Sequence, residues 1–177
     1  MTFSAIWAEG SSGELGNGDN LPWPKNKADM AWFVKHTMGK PIVMGYNTWK
    51  SIGKKCLPGR LNIILTNEAV FGVDPLNMLN GIDKPYWASD LNFVEAILGD
   101  IDEIMIIGGG KTYQAYADRI SRVYRTVFLN TFDHTVSISS NVDDMDMVYY
   151  DGFSHPDIIF SIHEVVEEPL VIEANHK

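Results

Sequence analysis

The stretch LPWPKNKADMAWF, residues 21–33, holds a single carboxylate, Asp29, among Trp23, Met30, Trp32 and Phe33. Helical spacing from Ala28 onward places Asp29, Trp32, Phe33 and His36 on one face. An acid on an apolar face is costly unless its pKa shifts or a partner meets it. Asp29 is therefore either a solvated first-turn acid, favoured by the helix dipole, or an acid awaiting a ligand. A second candidate is Gly108-Gly109-Gly110, between the apolar run EIMIIGG and the stretch GKTYQAYADRI. Glycines there let backbone approach a ligand, and a helix N-terminus offers N–H groups to a phosphate. A tight strand-to-helix turn would use the same residues. Two stricter phosphate motifs fail, because G-x-G-x-x-G needs glycine at Leu21 or Tyr113 and a P-loop needs one at Met105. No nucleophile stands beside a base. The five histidines and the single cysteine, Cys56, show no zinc spacing, so no metal is expected.

The elements that position such residues belong to a chain of 177 residues, 45% hydrophobic, enough for one domain with a full core. No apolar run is long enough to span a membrane, and the N-terminus lacks a basic region ahead of an apolar one. With one cysteine, this points to a reducing, cytoplasmic setting. The net charge of −9 is uneven: residues 1–67 carry +4 and the remainder −13. A locally positive N-terminal portion suits an anionic small molecule, or is ordinary variation in surface charge. The overall sign argues against general nucleic-acid binding.

Strands are expected at 3–8, 41–45, 61–66, 103–109 and 123–129, and near 158–164 and 168–174. Helices are expected from 28, at 47–53, 93–98 and 110–120, with a glycine-rich loop at 10–20. This alternation predicts a single-domain α/β fold over 1–177, with a mostly parallel twisted central sheet, flanking helices and an antiparallel C-terminal edge.

Five pieces, AIWAEGSSGELGNGDNLPW, KADMAWF, PIVMGYNTWKSIG, LPGRLNIILT and IIGGGKTYQAY, occur in an order and spacing that resembles dihydrofolate reductase. The resemblance covers roughly residues 3–130, with the acidic tail matching only in its strand-like ends. It implies reduction of dihydrofolate by NADPH, with Asp29, Trp23 and Thr126 as the catalytic group. Asp29 would bond the pterin amino and N3 groups, so the ligand supplies the missing partner. Residues 16–23 would form a mobile loop over the site, and Trp23 would wall the pocket and hold a water. Ile6, Ala8, Met30, Phe33, Ile52, Leu57 and Arg60 match substrate positions, with Arg60 on the folate α-carboxylate. Ala8, Leu15, Gly16, Gly45, Tyr46, Asn47, Thr48, Thr66, Asn67, Ile107, Gly109, Gly110, Lys111, Thr112 and Tyr113 match cofactor positions.

The chain departs from the family where Tyr46 and Asn47 replace a basic residue after Met44-Gly45. Glu68 adds negative charge nearby and Lys111 keeps one positive charge. NADPH is still expected, with a narrowed margin over NADH. Residues 133–155 receive no function. Two other readings share the fold: the related reductase of riboflavin synthesis, and a catalytically weak relative kept for binding or structure. LPW, the Asp29 helix and LPGR point away from the first. The partner is a small molecule, and a monomer is favoured.

Overall fold

The computed structural model describes residues 1–67 and 84–177. In chain order its first elements are β1 (Thr2–Glu9), β2 (Glu14–Gly16), α1 (Lys27–Thr37), β3 (Ile42–Gly45), α2 (Tyr46–Ser51) and β4 (Asn62–Leu65). There follow β5 (Pro85–Ala88), α3 (Leu91–Ile97), β6 (Glu103–Gly108), α4 (Gly110–Ala115) and β7 (Ile120–Phe128). The chain ends with β8 (Val136–Ser140), β9 (Asp146–Asp151), β10 (Ile158–Glu164) and β11 (Ile172–His176).

Eight strands form one sheet in the order β5-β4-β3-β6-β1-β7-β10-β9. Neighbours from β5 to β7 run parallel, whereas β10 pairs antiparallel with β7 and β9 with β10. The expected parallel sheet with an antiparallel C-terminal edge is thus present. A smaller antiparallel sheet, β11-β8-β2, lies beside it.

Strands buried on both faces read as continuous apolar runs, and here alternation sorts each run into two cores. Phe3, Ala5, Trp7, Ile104 and Ile106 pack on one face, with Leu91 and Val94 of α3 and Tyr113 of α4. Ile6, Met44, Ile64 and Met105 pack on the other, with Trp32 of α1 and Trp49 of α2.

Several boundaries differ from the sequence expectation. The expected helix at 110–120 stops at Ala115, a 3₁₀ turn covers Ala117–Arg119, and Ile120 already belongs to β7 because Ile120 and Val123 fill the core. The closing strand starts at Ile172 rather than at 168. No element was expected at β2, β5, β8 or β9. β2, of three residues, is too short to show a period, and β5 (PYWA) alternates in burial although its residue types do not. β8 shows only one clear alternation, with Ile138 inward. β9 is the sheet edge, and its Met147, Val148, Tyr149 and Tyr150 are all exposed, so no face pattern marks it.

At the opposite end from the site, Glu103 ties the sheet together. It accepts from Ser4 Oγ (2.6 Å) and Tyr124 OH (3.0 Å) and pairs with Lys40 (2.5 Å). Burial pushes its pKa up, but Lys40, Ser4 and Tyr124 outweigh this and hold it below the usual carboxylate range. A depressed folded pKa stabilises the fold above the ordinary carboxylate pKa, and this is lost as pH falls through the folded value. Glu103→Gln should therefore lower the urea midpoint at pH 7, with the difference from wild type shrinking in acid. A difference that is the same at every pH would contradict this.

Candidate active site

In open α/β sheets the crevice at the carboxyl ends of the strands is where ligands bind. Here β1, β3, β6 and β7 bring Ile6 to Ala8, Gly45, Ile107 and Thr126 to that end, and Thr126 lies opposite Ala8 in the β1–β7 register. α1 crosses beside them. Its N-cap, Asn26, accepts a hydrogen bond from the Asp29 N–H (3.0 Å), which sets Asp29 in the first turn. The expected shared face is turned to the sheet: Trp32 stacks on Phe160 at 4.7 Å and His36 packs on Tyr124 at 4.7 Å. Burial raises the Asp29 pKa, and the Thr126 side chain acts in the opposite direction. The Thr126 hydroxyl is itself buried and completes no hydrogen bond of ordinary geometry. Asp29 is therefore not a freely solvated first-turn acid.

The walls are apolar. Trp23 stacks on Phe128 at 4.5 Å, and its buried Nε1 has no acceptor among the described residues. Ile6 and Trp23 share one cluster with the partly buried Ala8, Phe33, Ile52, Leu57 and Ile107. Met30 stands apart at 44% exposed, on the rim. Tyr113 OH donates to the Ile6 carbonyl (2.6 Å) beneath this pocket, and burial pushes its pKa up, so it stays a neutral donor. Arg60 is buried, its Cζ 5.9 Å from the Phe33 ring. Burial lowers its pKa.

A second opening is lined by Gly45, Tyr46, Thr66, Asn67, Lys111 and Thr112, together with Leu65, Ser89, Ala115 and Tyr116, and encloses about 780 Å³ including its mouth. Gly45 and Thr112 line it, and the glycine turn packs tightly nearby. A Cβ on Gly45 would stand 2.7 Å from Thr112 Oγ1, and one on Gly109 would stand 3.1 Å from Thr48 Oγ1. Gly108, at φ 136°, adopts a backbone that side chains disfavour. Gly110 is bounded by Ala174, Val136 and Leu15. Asn47 is exposed on α2 and does not line this cleft. Lys50 and Lys54 place their Nζ atoms 5.6 and 5.8 Å from the Tyr46 ring centroid. Lys111 is thus not the lone positive charge near the cleft; Glu68 lies outside the described residues.

The loop carrying Gly16 is tied down by a residue the sequence did not single out. Thr135 N donates to the Gly16 carbonyl (2.8 Å), and Gly18 N donates to Thr135 Oγ1 (2.7 Å). Ser89 and Tyr116 of the cleft were also missed. A lone serine and a helix-end tyrosine carry no spacing signal, and Thr135 is 117 positions from its partner. No cluster of three or more His, Cys, Asp or Glu that could hold a metal occurs among the described residues, and no described helix is long and apolar enough to cross a membrane.

An acid partly buried among apolar side chains, with a polar cleft lined by Gly45, Thr66, Lys111 and Thr112, suits a nucleotide-dependent oxidoreductase. The chain belongs to the dihydrofolate reductase family, whose profile matches residues 2–148. It is 38% identical over 133 residues to the dihydrofolate reductase of Haemophilus influenzae, covering 75% of this chain and 76% of that protein. It is 36% identical over 126 residues to the type 3 dihydrofolate reductase of Salmonella typhimurium, with 71% of each covered. Dihydrofolate reductase from Enterococcus faecalis, solved with NADP(H) and RAB-propyl, has the same fold, with a TM-score of 0.71 at 20% identity. The superposition covers 92% of this chain and 96% of that one.

The raised Asp29 pKa has a consequence for stability. An acid whose folded pKa exceeds its unfolded value favours folding in its protonated form, and that contribution is lost as pH rises through the folded pKa. At neutral pH the charged carboxylate is a burden on the fold. Asp29→Asn should thus melt at or above the wild-type temperature at pH 7. A clear drop in Tm at pH 7 would mean that the carboxylate is held by partners instead.

Proposed function

We propose that this enzyme reduces 7,8-dihydrofolate to 5,6,7,8-tetrahydrofolate with NADPH, in support of one-carbon metabolism in the cytoplasm. The observation that carries the reading is the Asp29 carboxyl, partly buried on the apolar face of α1 with its pKa raised by that burial, beside the buried Thr126 hydroxyl, which has no hydrogen-bond partner among the described residues. The pterin amino and N3 groups would pair with the carboxylate. When bound, the nicotinamide cofactor supplies the hydride that reaches pterin C6. Asp29 holds the pterin ring by those groups, and its negative charge favours a proton at N5, an effect strengthened where water is excluded. Trp23 and Phe33 keep the ring space apolar, and Met30, at the rim, meets the aminobenzoyl group. Arg60 takes the α-carboxylate of the tail. Tyr113 engages the Ile6 carbonyl and so fixes the β1 backbone against which the two rings meet. Thr48, Gly109 and Gly110 cradle the pyrophosphate, and Tyr46, Thr66, Asn67 and Lys111 surround the adenosine end.

Oxidation of NADPH that depends on added dihydrofolate tests the reaction directly. Turnover only with the pyrimidine precursors of riboflavin, or with neither substrate, would replace this reading with one of its two alternatives.

Cofactor choice gives a second test. Lys50 and Lys54 flank Tyr46 and can offset the missing basic residue after Met44-Gly45. Replacing both with glutamine should lower kcat/KM for NADPH by about tenfold, the scale of a lost charge-assisted phosphate contact, and leave NADH unaffected. An unchanged ratio between the cofactors would show that these lysines lie out of reach of the 2′-phosphate.

A further inference from the structure

The LPGR turn ends in a guanidinium that the protein buries without an acid. Arg60 is 5% exposed, and no carboxylate among the described residues forms an ion pair with it. Two of its donors are used internally: Nε donates to the Pro58 carbonyl and Nη1 to Thr37 Oγ1, each at 2.9 Å. A guanidinium has five N–H donors in a rigid fork, so the second Nη1 hydrogen and both on Nη2 remain for an anion. Those remaining groups form the end-on pair that a carboxylate accepts in bidentate fashion.

The direction of that fork is set by Thr37. It is the last residue of α1 and fully buried, and its hydroxyl donates to the Phe33 carbonyl at 2.7 Å. The donated proton leaves an oxygen lone pair for Arg60 Nη1. One hydroxyl thereby couples the fork to the helix that also carries Asp29. The main chain of the turn is held from its other side by Asn62, also fully buried. Its Oδ1 accepts from Leu57 N (2.8 Å), and its Nδ2 donates to the carbonyls of Leu57 (3.0 Å) and Arg60 (2.8 Å).

We infer that Thr37 is a positioning residue for the carboxylate-bearing tail of the substrate, acting through Arg60 and touching no substrate itself. The inference rests on the proposed role of Arg60. Without the hydroxyl, Nη1 loses its buried acceptor and the fork can turn about its last side-chain torsions, so the end-on pair is no longer preset. A preorganised fork spares the binding step that ordering.

A double-mutant cycle tests this, with dissociation constants for dihydrofolate and for a dihydropterin lacking the aminobenzoylglutamate tail. Thr37→Val, close in shape, should weaken dihydrofolate about tenfold, the effect of misaligning one charged hydrogen bond, and leave the tail-less pterin unchanged. Thr37→Ser should restore wild-type affinity, which a packing role for the lost methyl would not. In an Arg60→Leu background, Thr37→Val should add nothing further. Equal weakening of both ligands, or a full additional loss without Arg60, would overturn the inference and make Thr37 structural. If Arg60→Leu itself leaves the preference for the tailed ligand intact, the role of Arg60 fails first. If Arg60→Leu weakens dihydrofolate and Thr37→Val does not, only the positioning role fails.

Discussion

Docking of α1 against β7 and β10 takes one carboxyl partly out of water, and the rest of the site is arranged around that partial burial. Trp32 on Phe160 and His36 on Tyr124 anchor the helix through its apolar face. The same periodicity that brings those rings inward brings Asp29 inward one turn earlier. Burial then raises its pKa, and the Thr126 hydroxyl opposes the rise. A packing interaction thus creates an electrostatic demand, which in the proposed function a ligand with paired N–H donors meets. The same helix ends in Thr37, hydrogen-bonded to Arg60. In the proposed function both ends of a long substrate are consequently referred to this one helix.

The nucleotide side depends on close approach instead of charge. Gly45, Gly109 and Gly110 leave no room for side chains against Thr112, Thr48 and Ala174, and Gly45 lines the cleft itself. Charge comes from exposed lysines on α2 and α4. Their side chains sit around Tyr46 and the cleft mouth without being buried or ion-paired among the described residues. Screening by salt acts strongly on such groups, which ties cofactor preference to ionic strength more than substrate binding, where Arg60 is buried.

Legibility followed burial pattern. The parallel strands β1, β3, β4, β6 and β7 could be read because their runs are largely apolar and sit in two cores, and the Asp29 helix because its face repeats cleanly. β9 could not be read, since Met147 to Tyr150 are exposed at the edge of the sheet and carry no inside–outside contrast. At the site, Asp29 and the glycine turn were visible as residues out of place in their own neighbourhoods. Thr37, Asn62 and Thr135 were not, because each is an ordinary polar residue whose meaning comes from a hydrogen bond to a distant or differently folded segment. The positive charge near Tyr46 was missed for a related reason. Lys50 and Lys54 lie four and eight positions along, and only the turn of α2 and the bend after it bring them to the ring.

The central claim is that the partly buried Asp29 charge promotes protonation of the substrate, and the rate of the hydride step as a function of pH in Asp29→Asn tests it most directly. Asparagine keeps the shape but removes the negative charge and turns one of the two acceptors into a donor, so the hydride step is measured at saturating substrate. Single-turnover measurement should show most of the rate lost at neutral pH and partly recovered in acid, where solvent protonates the ring directly. A variant that transfers hydride at nearly the wild-type rate at neutral pH would contradict the account.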